Sequence, residues 1–206
     1  SPGAMVSVSY QGKDFSGLAG QDGRWKFDIG PFSTSWGEEM TISDGTETIR
    51  LADVACGEVW LAGGQSNMEF FMRYDTGCAV EKEGCAALPI RFFDFPEISY
   101  REQLKDADYS AEFGFWRLSA PEQLEWFSAV GYYFAKYLCQ NLRIPVGVIG
   151  FNWGGTSILC WMSREAISHG KGEVFLEKYD ASIRGLDLEK YQKSFRSNPL
   201  NFHNRM

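Results

Sequence analysis

Over the first quarter of the chain, apolar and polar residues alternate with a period of two. Val6-Ser7-Val8-Ser9-Tyr10, Trp25-Lys26-Phe27-Asp28-Ile29 and Met40-Thr41-Ile42 each read as a half-buried strand. Asp44-Gly45, set between Met40–Ile42 and Thr46–Leu51, is a hairpin dipeptide, because its glycine reaches positive φ without strain. A few short strands cannot close a stable sandwich alone. Residues 6–57 are therefore expected to be the tail of a β-sandwich-like domain, or a sheet laid on the domain that begins at residue 58. Ser1-Pro2-Gly3-Ala4-Met5 reads as a tag remnant.

From residue 58 the pattern changes. Glu58-Val59-Trp60-Leu61-Ala62 reads as a buried strand, and Ile90–Phe95 as a second one stopped by Pro96. Residues 128–143 have helical periodicity, with Val130, Phe134, Tyr137, Leu138 and Leu142 on one side. Pro145–Phe151 reads as a third strand, of the kind buried on both faces of a parallel sheet. Strands separated by helical crossovers predict an α/β fold with a doubly wound, mostly parallel sheet, in which ligands bind beyond the carboxyl ends of the strands. Further on, Ser163 is expected to cap a short helix ending near Gly170, and residues 173–196 to form a surface helical pair. The chain reads as cut at Met206, so residues 58–206 are expected to be the N-terminal part of a larger domain.

Between the first strand and a helix predicted to start at Glu69–Arg73 lies Gly63-Gly64-Gln65-Ser66-Asn67-Met68. A serine on a glycine-flanked turn from strand to helix is where hydrolases display a nucleophile. The same serine can instead serve only as a helix cap. A second glycine turn, Asn152-Trp153-Gly154-Gly155-Thr156-Ser157, follows the third strand in the same way. One of its N–H groups could join that of Ser66 in holding an oxyanion, a contribution of about 3 kcal/mol per donor. A serine nucleophile also needs a base, ordinarily a histidine oriented by a carboxylate. Only His169 and His203 exist, and Ala166 and Leu200, not acids, stand three residues before them. No base is evident.

Composition narrows the chemistry. A net charge of −7 without a basic patch argues against nucleic-acid and anionic-membrane partners. No Lys-Ser or Lys-Thr follows either glycine turn, so no phosphate loop is present, and no nicotinamide fingerprint occurs. No metal site and no cofactor are expected, for want of histidines and paired cysteines. Seven Trp, nine Tyr and sixteen Phe exceed what a core of this size needs, which suits stacking on sugar rings. The five cysteines, Cys56, Cys78, Cys85, Cys139 and Cys160, are scattered. Cys78 and Cys85 are near enough to pair, but free thiols in a reducing, cytoplasmic compartment are the favoured expectation.

The stretch Gly57–Glu69 resembles the first motif of sialate O-acetylesterase-type carbohydrate esterases, within the wider SGNH hydrolases. Phe127–Phe134 is similar to the helix of that family, Pro145–Ile149 to its next strand, and Asn152–Ser157 with Trp161 to its second motif. The resemblance covers residues 20–165 and implies a three-layer α/β/α, flavodoxin-like domain that removes acetyl groups from a carbohydrate. It implies Ser66 as the nucleophile, with Ser66 N–H and Gly154 N–H, or alternatively Gly155 N–H, as oxyanion donors. Gly64, Gln65, Asn67 and Glu69 would shape the turn, and Trp153 and Trp161 would face the sugar or acetyl group. The family's third motif, similar to Gln-Gly-Glu-Ser, and its Asp-x-x-His motif are absent from these 206 residues. The chain is thus expected to carry the nucleophile half of an acetylesterase and to be nearly inactive by itself. Its partners would be the acetylated carbohydrate and the missing C-terminal half. The rival expectations are a non-catalytic carbohydrate-binding module and a structural fragment complemented by another chain.

Overall fold

The computed structural model describes residues 1–95, 114–187 and 190, which form a mixed α/β structure in two compact units, Ser1–Gly155 and Thr156–Met206. The first unit holds both sheets. Its N-terminal sheet is antiparallel, in the order β2-β1-β3-β4, from β1 (Met5–Tyr10), β2 (Lys13–Leu18), β3 (Ser35–Ser43) and β4 (Thr48–Cys56). Alternation in β1 behaves as the sequence requires, with Val6, Val8 and Tyr10 buried. Asp44 closes the β3–β4 hairpin, its Oδ1 accepting from the N–H groups of Thr46 and Glu47 at 3.0 and 2.9 Å.

Trp25–Ile29 corrects the expectation of a strand: it lies in no ladder. Its apolar side chains are used without backbone pairing. The Phe27 ring lies on β2 where a Gly17 side chain would stand, 2.8 Å from that Cβ position. A few residues on, Phe32 packs edge-on against Tyr10 and Phe15, with centroids 4.8 and 5.6 Å away.

The second sheet runs β5-β8-β6-β7, from β5 (Glu58–Gly64), β6 (Ile90–Asp94), β7 (Trp116–Leu118) and β8 (Val146–Asn152). β8 is parallel to both of its neighbours, and β7, which the sequence did not announce, pairs antiparallel with β6. Helices α1 (Ser66–Glu69), α2 (Cys78–Gly84) and α3 (Ala129–Leu142) complete this unit. Arg91 of β6 links the two sheets: its guanidinium lies 4.4 Å from the Trp36 ring centroid and contacts Asp53 Oδ1 at 2.6 Å.

Helix α3 packs by the face opposite to the one expected. Of the expected stripe, Val130, Phe134, Tyr137 and Leu142 are exposed and only Leu138 packs against the core, while Ala129, Gly131, Tyr132, Ala135 and Cys139 are buried. Small residues win because they let the helix approach the sheet closely. A Cβ on Gly131 would stand 3.2 Å from Phe92 and 3.4 Å from Val148. The core beneath joins Tyr132 and Ala135 to Ile90, Phe92, Val146, Val148, Phe127 and Leu124, with Phe92 and Phe127 stacked at 5.1 Å.

Two further expectations fail on this sheet. β5 is not buried: it pairs only with β8 among the described residues, and Val59 and Leu61 are 60% and 68% exposed. β8 is buried on one face only, through Val146, Val148 and Gly150, while Phe151 is exposed.

The second unit contains α4 (Arg164–Ser168) and α5 (Glu173–Ile183). Ser163 caps α4 as expected, accepting from Ala166 N–H at 3.1 Å. Of the helical pair expected over 173–196, α5 is described and most of the remainder lies outside the described residues. No helix among the described residues is long and apolar enough to cross a membrane. All five cysteines, Cys78 and Cys85 included, are free thiols.

Candidate active site

Parallel register brings the two glycine turns together. Gly64, at the end of β5, lies opposite Asn152, at the end of β8, and Trp153 N–H donates to Gly64 O at 3.1 Å. Both strands thus hand their chains into turns at the same carboxyl edge. Ser66 is the first residue of α1, not its cap; Gln65 holds the cap position and makes no side-chain cap bond. Gln65 O accepts from the N–H groups of Met68 and Glu69, both at 2.9 Å. The N–H groups of Ser66 and Asn67 lie in the first turn, where no carbonyl of the helix can reach them. Ser66, Gln65 and Asn67 are exposed.

Sequence places the start of a longer helix near Glu69. The helix ends there instead. Phe70 leaves the helical region, and the next three backbone groups are taken by the segment before α3. Phe70 O accepts from Ala129 N–H, Phe71 forms a bridge with Ser128, and Met72 N–H donates to Phe127 O. A four-residue helix carries little macrodipole, so anion binding at this turn falls to individual N–H groups. Ser128, 1% exposed, ties the arrangement down: its Oγ donates to Met68 O and accepts from Gly131 N–H at 3.1 Å.

The closest approach between the turns is at Gly154. A Cβ there would stand 3.3 Å from Ser66 Oγ and 2.7 Å from Glu69 Oε2, so only glycine allows this contact. Gly154 N–H, expected to face an oxyanion, donates to Glu69 Oε2. Gly155, exposed and left-handed with φ +78°, follows it. Trp153 is half-buried beside Gly154.

Trp161 belongs to the second unit, where its Nε1 donates to Thr156 Oγ1 at 2.9 Å. His169, also there, is exposed, with its Nδ1 2.7 Å from Glu165 O and no ion pair to a carboxylate among the described residues. His203 lies outside the described residues. No cluster of three or more metal-ligating side chains occurs among the described residues.

Sequence reading misses two residues of this site. It assigns Glu69 only to shaping the turn, yet Glu69 bridges to the second one. Its position three residues after Ser66 on one helical turn is the available signal. Ser128 reads from sequence only as part of a helix, and nothing local reveals its bond to Met68 O.

No protein-family model matches this chain. Among curated proteins, the sialate O-acetylesterase of Rattus norvegicus is 32% identical over 143 residues, covering 67% of this chain and 26% of that protein. The Homo sapiens sialate O-acetylesterase is 28% identical over 185 residues, covering 81% of this chain and 34% of that protein. Among solved structures, a carbohydrate acetylesterase from Xanthomonas citri superposes with a TM-score of 0.70 at 28% identity, over 84% of this chain and 39% of that one. The chain spans between a quarter and about a third of the length of the curated relatives it matches.

Proposed function

We propose that this chain, a relative of the sialate O-acetylesterase-type carbohydrate esterases, supplies the nucleophile side of a serine esterase that releases acetate from an acetylated sugar. The observation that carries the reading is the meeting of two glycine turns at one serine. Ser66 Oγ stands exposed at the carboxyl edge of β5, 3.3 Å from the place where any side chain on Gly154 would begin. In this reading Ser66 Oγ attacks the acetyl carbonyl carbon and passes its proton to a base. Backbone N–H groups of Ser66 and of the second turn hold the tetrahedral oxyanion. The sugar hydroxyl leaves with a proton, and water frees acetate from the acyl-serine. The base and its orienting carboxylate would be those of the family's Asp-x-x-His motif, which these 206 residues do not contain; His169 meets the Glu165 carbonyl instead. Trp153 faces the sugar or acetyl group. The second sheet belongs to an SGNH-type doubly wound domain, and β1–β4 to a β-sandwich-like domain before it.

The test is made on the full-length protein. A fluorophosphonate should label Ser66, and acetate release from an acetylated monosaccharide should vanish in Ser66→Ala. Sugar binding without labelling or turnover would replace the esterase with a binding module.

A further inference from the structure

We propose that Glu69 is a positioning residue for this reaction, whose buried carboxylate pins the second glycine turn to the nucleophile helix by taking Gly154 N–H. That leaves Gly155 N–H as the donor this turn offers to an oxyanion. The inference rests on the esterase reading and specifies its geometry. Glu69 is 6% exposed and lies one helical turn after Ser66. Its Oε2 accepts from Gly154 N–H, while Gly154 Cα faces Ser66 Oγ. This carboxylate therefore adds a tie between the turns at the serine itself, beyond the Trp153 N–H bond to Gly64 O that closes the strand ends.

The same bond commits the donor. A hydrogen bond to a carboxylate is about twice as strong as one between neutral groups. A neutral ester carbonyl does not displace it, and an oxyanion forming on the same N–H would be repelled by the carboxylate already there. Gly155 N–H is not committed in this way: the residue is exposed and its N–H makes no hydrogen bond among the described residues.

The full-length protein is assayed with p-nitrophenyl acetate and with a fluorophosphonate. Glu69→Gln keeps an accepting oxygen but not the charge, and should lower kcat about tenfold with KM changed less than about twofold. Glu69→Ala should lower kcat about a hundredfold while the protein stays folded. In ¹⁵N-labelled protein, forming the Ser66 phosphonate should move the Gly155 amide proton downfield and leave that of Gly154 near its place. Labelled wild type with Glu69→Ala at full kcat would remove the positioning role. A rise in kcat in Glu69→Gln would make the carboxylate an obstruction, and a downfield shift on Gly154 would return the donor to that residue; either overturns the proposal. A wild type neither labelled nor active would overturn the esterase reading and this proposal with it.

Discussion

Gly154→Ala is the smallest change that probes how closely the two turns must approach. The added methyl would stand 2.7 Å from Glu69 Oε2 and 3.3 Å from Ser66 Oγ. Ordinary van der Waals contact begins at 3.4 Å, so the carboxylate must retreat by roughly 0.7 Å or the turn must lift by a comparable amount. Either movement loosens the bond from residue 154 N–H to Glu69. A hydrogen bond to a charged group contributes about 1.5–3 kcal/mol. With a urea m-value of about 1–3 kcal/mol/M, the unfolding midpoint should fall by about 1 M. Function should suffer more than stability, because a misplacement of about 1 Å at a reacting centre lowers rate about a hundredfold. Urea unfolding followed by tryptophan fluorescence gives the first quantity, and the rate of Ser66 phosphonylation in the full-length protein gives the second. Unchanged midpoint and unchanged labelling would mean that the turns do not touch in solution, and the geometry on which the site rests would be refuted.

Other outcomes concern the support beneath the site. Ser128→Ala removes both the α3 cap and the bond to Met68 O; it should destabilise by about 1–2 kcal/mol in thermal or urea unfolding and slow Ser66 labelling. Gly131→Val forces bulk against Phe92 and Val148, and should lower stability by about 1–3 kcal/mol in the same measurement. Burial pushes the Cys85 and Cys139 thiols above the ordinary thiol range, holding them protonated near neutral pH. Iodoacetamide followed by peptide mass mapping should therefore modify exposed Cys160 first, and these two only after unfolding. Rapid alkylation of Cys139 in the native protein would contradict the packing of α3.

The strands that place Ser66 are readable because their patterns are local: β5, β6 and β8 start or stop within a residue or two of the predicted positions. What fails is which faces β5, β8 and α3 bury. Val130, Phe134 and Tyr137 make an apolar stripe, but a helix pressed onto a sheet is positioned by the depth it can reach, and Gly131 and Ala135 reach deeper. Trp25–Ile29 alternates like a strand, yet its rings find Gly17 and one another without any ladder to join. At the site, Ser66 and the two glycine turns are visible in one dimension because each is a short motif. The Glu69 bond to Gly154 spans 85 residues and exists only once β5 and β8 lie side by side. No local propensity encodes such a contact.

β5 carries the nucleophile at one end and, among the described residues, an open ladder along one side. Its outward amides and carbonyls can pair with any extended segment that arrives, and Val59, Trp60 and Leu61 give that segment apolar side chains to meet. A strand added there would register directly against the residues that hold Ser66, with no intervening layer to absorb the change. Association along this edge would therefore act on the same strand that ends at the serine turn.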